Sequence, residues 1–243
     1  MRRSISAITF VPPSKKGKIK ISARMIEAAD NFKRMSHSVY QKFGKRYLDL
    51  TLGTVLVHFF WPALIIIGLL IKISSKGPIL FKQKRVGRNG KVFIIYKFRT
   101  MIDGAEKIQG KYKQLNEADG PVFKIRDDPR YTKFGKFLSH TGLDELPQIF
   151  NILRGDMSFV GPRPLPVEEE KDVSKSWRGQ RKSVRPGIIS SWLQNGGHQL
   201  TFKQWMFLDL RDIVKSGFLF DLNLIFATVL LMGKFIAHEL AND

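Results

Sequence analysis

No Asp, Glu, Lys or Arg occurs from Leu50 to Ile71. As a helix, the run LTLGTVLVHFFWPALIIIGLLI is long enough to cross ~30 Å of hydrocarbon. Soluble helices seldom stay apolar on every face for that length, so the pattern predicts a membrane helix rather than a buried core helix. Both flanks are basic: Lys33, Arg34, Lys42, Lys45 and Arg46 precede the run, and Lys72, Lys76, Lys82, Lys84 and Arg85 follow it. Basic flanks favour the cytoplasmic side. A straight span puts one cluster on the wrong side, whereas a helix that enters, turns and leaves on one face satisfies both. Trp61-Pro62 lies mid-run, where proline removes a backbone donor and clashes with the preceding turn. Two arms of ~15 Å would result. The expectation is a proline-broken re-entrant helix over 45–73, whose freed backbone groups need local partners at the bend.

After Gly77-Pro78, two β-rich stretches flank Gly87-Arg88-Asn89-Gly90, which predicts a β-hairpin over ILFKQKRVGRNGKVFIIYKFRTM. Residues 103–120 read as a polar helix and loop, Val122 to Ile125 as a short strand, and Thr132 to His140 as a short helix. Leu143, Leu146, Phe150 and Leu153 recur at helical spacing, Gly155 ends that helix, and Gly161-Pro162-Arg163-Pro164 forms a rigid turn. Residues 166–182 read as a charged, solvated, helical segment. The tail from Gly217 to Ala237 is apolar but interrupted by Asp221 and Lys234, which suits an interfacial amphipathic helix better than a second span. The fold class is therefore α+β and mainly helical: a basic extension over 1–44, the membrane helix over 45–73, and a cytoplasmic domain over 74–243.

Charge sharpens this picture. The chain carries 41 Lys+Arg against 21 Asp+Glu, a net +20, which points to anionic partners: phosphate groups, nucleic acid or an anionic membrane face. Residues 1–48 hold twelve Lys/Arg and only Glu27 and Asp30, and 24–43 could form a basic amphipathic helix or remain a solvated tail. No acid lies between Asp49 and Asp103, so Lys82, Lys84, Arg85, Arg88, Lys91, Lys97 and Arg99 are not neutralised locally. Such a hairpin suits phosphate or anionic lipid equally. The absence of Cys excludes disulfides, Cys-ligated metal sites and thiol catalysis.

Chemistry concentrates at Thr141-Gly142-Leu143-Asp144-Glu145-Leu146-Pro147-Gln148. Pro147 lacks an N–H and fits only a first helical turn, placing a helix start near Asp144 and leaving that carboxylate partly free of capping duty. A carboxylate there could attack phosphorus, bind a divalent cation, or simply cap the helix. Around it stand Arg99, Asp128 with Arg130, Arg154 with Asp156, and Arg163. Arg forks suit bidentate phosphate contacts, and the neighbouring Asp-Arg pairs suit structural ion pairs equally well. The His residues show no zinc spacing, and GxGxxG, GxxxxGK[ST] and GxSxG are absent.

These motifs together resemble the bacterial sugar transferases, monotopic polyprenyl-phosphate sugar-1-phosphate transferases of the undecaprenyl-phosphate galactose/glucose phosphotransferase type. The resemblance runs from Lys45 to about Met232. It comprises Lys45-Arg46 with Asp49, the membrane segment with Trp61-Pro62, SSKGPILFKQKRVG, KFRTM, DPRYTKFGKFL, TGLDELPQIFNILRGDMSFVGPRP, and VRPGI before SSW. It implies transfer of a sugar 1-phosphate from a UDP-sugar to undecaprenyl phosphate with release of UMP, the step that starts surface polysaccharide or glycoconjugate synthesis. Asp144 would be the nucleophile that forms a covalent phosphosugar enzyme. Glu145 would deprotonate the acceptor or help hold Mg²⁺ beside Asp144. Lys97, Arg99 and Arg163 would stabilise phosphate charge, with Arg85, Arg130 and Arg154 as further substrate contacts. The implied setting is the cytoplasmic face of a bacterial inner membrane, with anionic lipids as neighbours, no nucleic acid, and room for a homodimer. The competing readings are a non-enzymatic basic scaffold protein and a Mg²⁺-dependent phosphohydrolase.

Departures from the family pattern cluster late in the chain. Ile189-Ser190-Ser191-Trp192-Leu193-Gln194 stands where Thr-Gly-Leu-Trp-Gln is frequent, followed by Asn195-Gly196-Gly197-His198, and Asp212 stands where many members have Tyr. The extension before Lys45 is longer than in the smallest members and too short for the four-helix bundle of the larger ones.

Overall fold

A computed structural model describes residues 39–242. The extension over 1–44 and the helix considered for 24–43 therefore lie outside the described residues, apart from a π-helical turn at Tyr40–Gly44. This turn leads directly into α1, Lys45–Ser74. The fold is mainly helical, with a two-stranded antiparallel ribbon, a short parallel strand pair and two long apolar helices.

Helix α1 carries Pro62 in its interior. It runs unbroken through Pro62, although proline leaves the carbonyl one turn earlier without its usual donor. Its surroundings change along its length. Leu52 and Leu56 pack on one core cluster, Leu64, Ile67 and Ile71 pack on another, and the intervening His58 to Pro62 are all exposed. Both ends of the helix are thus held by the same body of protein.

The hairpin forms as predicted. Strand β1 (Leu80–Val86) pairs antiparallel with β2 (Val92–Phe98), in register from Leu80 opposite Phe98 to Val86 opposite Val92. The turn uses left-handed backbone at Asn89 (φ 56°) and Gly90 (φ 76°), conformations that Asn and Gly adopt at low cost. Residues 103–120 form turns and a 3₁₀ segment, Gln109–Leu115, rather than a helix, and Val122 to Ile125 form no strand. Helix α2 spans Lys133–Thr141, with the Thr132 side chain accepting from Gly135 N–H as N-cap. Helix α3 spans Gln148–Arg154 and ends at Gly155, whose φ is 92°. Phe150, expected in its apolar stripe, is exposed.

Strand β3 (Ser158–Val160) pairs in parallel with β4 (Gly187–Ile189), a pairing the local pattern does not announce. Between them, α4 (Val167–Asp172) and α5 (Lys175–Arg181) replace the single solvated segment expected, and Glu170 and Arg181 are buried. A short α6 (Ser191–Gln194) leads to α7 (Phe202–Lys215), which opens with a capping box between Thr201 and Gln204. The chain closes with α8, Phe218–Asn242.

Asn151 holds these parts together. Fully buried, it donates to the Ile94 carbonyl (2.7 Å) and accepts from Tyr96 N–H (3.1 Å), so its amide takes the place of a third strand along the open edge of β2. Its own carbonyl accepts from Gly155, Asp156 and Met157. Asn151→Ala should leave two buried backbone groups unpaired and cost roughly 2–6 kcal/mol, read as a fall in melting temperature. An unchanged melting temperature would show that α3 is not tied to the ribbon in this way.

Candidate active site

The acidic pair lies between two helices rather than at the start of one. Gly142 ends α2 with φ 76°, a conformation glycine supplies without strain. Leu143–Glu145 then form a 3₁₀ turn, and Pro147 caps α3. Leu143 and Leu146 pack against the cluster of Ile71, Phe98 and Leu138. The turn is therefore anchored by its apolar members, and the acids between them project the other way.

Two basic side chains from distant elements meet the acids. Lys97 Nζ, on β2, lies 2.7 Å from Glu145 Oε1 and 3.4 Å from Asp144 Oδ2. Arg163 Nη2, in the turn after β3, lies 2.8 Å from the same Glu145 oxygen. Arg163 is itself held from behind. Arg85 donates to the Pro164 carbonyl (2.8 Å), Arg181 donates to the Arg163 carbonyl (2.6 Å), and the guanidinium sits 5.9 Å over the Trp192 ring. The turn can approach β4 closely only because Gly187 lacks a side chain: a Cβ there would meet Gly161 N at 2.2 Å.

These contacts make the two acids unequal. Burial opposes charge on Glu145, yet Arg163 and Lys97 outweigh it and hold this carboxyl well below the usual range. For Asp144, burial dominates and raises the pKa. Lys97 counteracts in part, and the Glu145 charge adds to the rise. Asp144 is thus the more basic carboxylate. A third cation, Lys124, went unnoticed in the sequence. Burial first, then Arg163 and Lys97, lowers its pKa to about 8, while Asp144 and Glu145 pull the other way. Only its place in the undistinguished stretch 122–125 hinted at it.

The remaining predicted residues lie elsewhere or serve the scaffold. Arg99 donates to the carbonyls of Ser75 and Lys76 (both 2.8 Å) and to the Ser75 hydroxyl (2.7 Å), closing the C-terminal end of α1. Arg130 is buried in a fork on Asp128 and donates to the Ala105 carbonyl. Arg154 lies 5.6 Å over Tyr96, on the face of β2 opposite Lys97 by strand alternation. Arg85 supports the 163–164 backbone, its pKa pushed down to about 10 by burial and by Arg163. Lys45, Arg46 and Asp49 turn inward: Lys45 pairs with Asp221, Arg46 donates to the Ile152 and Leu153 carbonyls, and Asp49 accepts from Ser158 and Phe159. Trp61 and Pro62 are exposed. Two of the family departures meet: Asp212 accepts from Ser191 N–H (2.7 Å) and hydroxyl (2.5 Å).

A buried carboxylate pair facing three cations suits a reaction on a phosphorylated, anionic substrate. Among the described residues no group of three or more His, Cys, Asp or Glu side chains converges, so any divalent ion would need substrate oxygens to complete its shell.

Comparison with known proteins gives the same direction. The chain is 39% identical over 206 residues to the galactosyl transferase CpsE of Streptococcus agalactiae, covering 83% of this chain and 44% of that protein. It is 32% identical over 189 residues to the exopolysaccharide production protein ExoY of Sinorhizobium fredii, covering 76% and 83%. It is 37% identical over 193 residues to the UDP-glucose:undecaprenyl-phosphate glucose-1-phosphate transferase of Escherichia coli, covering 76% and 39%. The chain thus spans less than half the length of two of these relatives and most of the third. The model of the bacterial sugar transferases matches residues 40–234, and the chain belongs to that family.

Proposed function

We propose that this protein transfers a sugar 1-phosphate from a UDP-sugar to undecaprenyl phosphate at Asp144. The observation that carries the reading is the unequal pair: one carboxylate, Glu145, held by Lys97 and Arg163, beside a second, Asp144, left basic by burial. In the first step an Asp144 oxygen attacks the sugar-bearing phosphorus. An O–P bond to the enzyme forms, the bond to the bridging oxygen breaks, and UMP leaves. In the second step a phosphate oxygen of the acceptor attacks the same phosphorus, and the Asp144 carboxylate is released. Basicity favours Asp144 as nucleophile. Lys97 and Arg163 are set to stabilise charge on the transferring phosphoryl group and the leaving phosphate.

Glu145, held ionised at low pKa, is a weak base. A phosphate monoester loses its second proton near pH ~6, so the acceptor needs little help to become nucleophilic. Glu145 is better suited to orient Lys97 and Arg163 and to share a cation with Asp144. The residues fit Mg²⁺ to that extent: the ion commonly takes one or two carboxylates and completes its shell with water and substrate phosphates. When bound, it supplies charge neutralisation between the carboxylates and the diphosphate.

The membrane reading rests on the contacts of α1 and α8. Residues on both sides of Pro62 pack on the same body while the middle is exposed, as a helix dipping into one leaflet and returning requires. Helix α8 touches the body along its length, through Asp221, Leu224, Thr228 and Glu239. It presents Phe218, Leu219, Leu222, Phe226, Val229 and Leu230 outward. Such a helix lies in the interface of the cytoplasmic leaflet rather than crossing it.

Asp144→Asn should abolish UMP release, by ~10³-fold or more, and intact-mass analysis of wild type quenched with donor alone should show a phosphosugar adduct that the variant lacks. Normal turnover by the variant would remove Asp144 from the chemistry. Adduct formation should fall as pH drops through the raised Asp144 pKa. Because Glu145 raises that pKa and Lys97 lowers it, the acid limb should move to lower pH in Glu145→Gln and to higher pH in Lys97→Met. Shifts of the same sign in both variants would contradict this account of the pair. In intact bacteria, single cysteines placed at 76 and 91 should react only with reagents that enter the cytoplasm. Labelling by an impermeant reagent from outside would exclude the re-entrant arrangement.

A further inference from the structure

A cavity of about 220 Å³ lies at the root of α1, lined by residues of the Tyr40–Gly44 turn, the hairpin turn, β3 and the segment before β4. Four cations border it: Lys42, Lys45, Arg88 and Arg185. Their commitments differ. Lys45 is neutralised by Asp221, and among the described residues Arg185 donates its Nε to the Gly155 carbonyl (2.9 Å). Lys42 and Arg88 are exposed and form no ion pair among the described residues. The two carboxylates in the wall, Asp49 held by Ser158 and Phe159 and Asp212 held by Ser191, offset part of this charge, and with four cations against two acids a positive surplus remains. Burial first, then Arg46 and Arg88, disfavour the charge on Arg185, and Asp49 opposes them. Like charges gathered around an open space call for an anion between them.

The geometry points to a phospholipid site: we propose that Lys42, Arg88 and Arg185 bind the phosphodiester of an anionic phospholipid of the phosphatidylglycerol class. A water's share of liquid volume is ~30 Å³, so the space holds a phosphodiester with several waters. An acyl-bearing source is favoured over free phosphate by what surrounds the mouth. Phe43 lines it and is 71% exposed, and Tyr47, one turn further along the helix that enters the bilayer, is 75% exposed. The polyprenyl acceptor is a poor occupant. Arg185 holds Gly155 at the C-terminal end of α3, whereas Asp144 precedes its N-terminal end, so the helix's ~10 Å rise separates the cavity from the reacting carboxylate. The inference rests on the placement of α1 in the membrane and is independent of the transfer chemistry.

The test uses the full chain in phosphatidylcholine nanodiscs with graded phosphatidylglycerol, and native mass spectrometry to count retained lipid. Lys42→Gln/Arg88→Gln gives up no hydrogen bond seen in the structure, and circular dichroism verifies its fold. Wild type should retain one phosphatidylglycerol with at least ~10-fold higher affinity than this double variant. Lys82→Gln/Lys84→Gln, which removes the same charge from the hairpin outside the cavity, should retain the lipid like wild type. Equal retention by all three proteins, or an equal loss in both variants, overturns the site. Displacement of the lipid by inorganic phosphate at matched concentration overturns its assignment to a phospholipid. UMP release measured on the same samples reports on the transferase reading separately.

Discussion

The capping of α3 is the constraint on which the rest of the structure depends. A helix of seven residues leaves its last carbonyls without intrahelical partners, and here Arg46, from the first turn of α1, supplies the donors at Ile152 and Leu153. At the other end of the same helix stand Pro147, Glu145 and Asp144. The position of Asp144 relative to the base of α1 is thereby set by a rigid rod of ~10 Å rather than by a loop. Asp49 adds a second strut by holding β3, whose continuation carries Arg163, and Asn151 adds a third by holding β2, which carries Lys97. Three elements that bring charge to the site are therefore each tied, directly or through one neighbour, to the base of α1.

The electrostatics of the site follow from this placement. Two adjacent carboxylates repel one another at short range, and burial worsens the cost for both. Lys97 and Arg163 both approach the same oxygen of Glu145, and only Lys97 reaches Asp144, at the longer distance. The stabilisation is therefore concentrated on one member of the pair, which sets the other apart as the more basic. Lys124, Arg85 and Arg163 crowd the same region, so the site without substrate holds more positive than negative charge. On the proposed reaction, an incoming diphosphate would meet donors already in position, with little reorganisation needed as charge moves toward the leaving group.

Much of the scaffold was legible from local pattern. The apolar run marked α1 to within a few residues of its ends, the Gly-Arg-Asn-Gly turn marked the hairpin, Thr132 marked the start of α2, and Gly155 the end of α3. Each of these depends on contacts within a few residues, which sequence displays. The parallel pair β3 and β4 could not be read this way, because each strand has three residues and the pairing partners are nearly thirty residues apart. Arginine roles were equally hidden. A guanidinium serves a phosphate or a backbone carbonyl with the same geometry, and only the fold shows that Arg99 and Arg46 close helix ends while Arg163 faces the acids. The Asp128-Arg130 neighbours, for which ion pair and phosphate contact were equally suited, form a buried fork.

At Pro62 the constraint read from the flanking charges and the local form of the helix meet. The balanced basic flanks of α1 favour the proposed placement of both its ends on one side, and a bend at proline is one way to satisfy that. The helix is continuous through Pro62, and segments on both sides of it pack on one body. The energetic reason lies in the solvent. Within hydrocarbon a fully interrupted turn leaves several backbone groups without partners, whereas a proline inside a continuous helix forfeits a single hydrogen bond. The cheaper solution keeps the helix and lets its ends be fixed by Arg46, Asp49 and Lys45 on one side and by Arg99 on the other. The same four residues that resemble membrane or phosphate contacts in the sequence are thus what hold the apolar helix to the domain it serves.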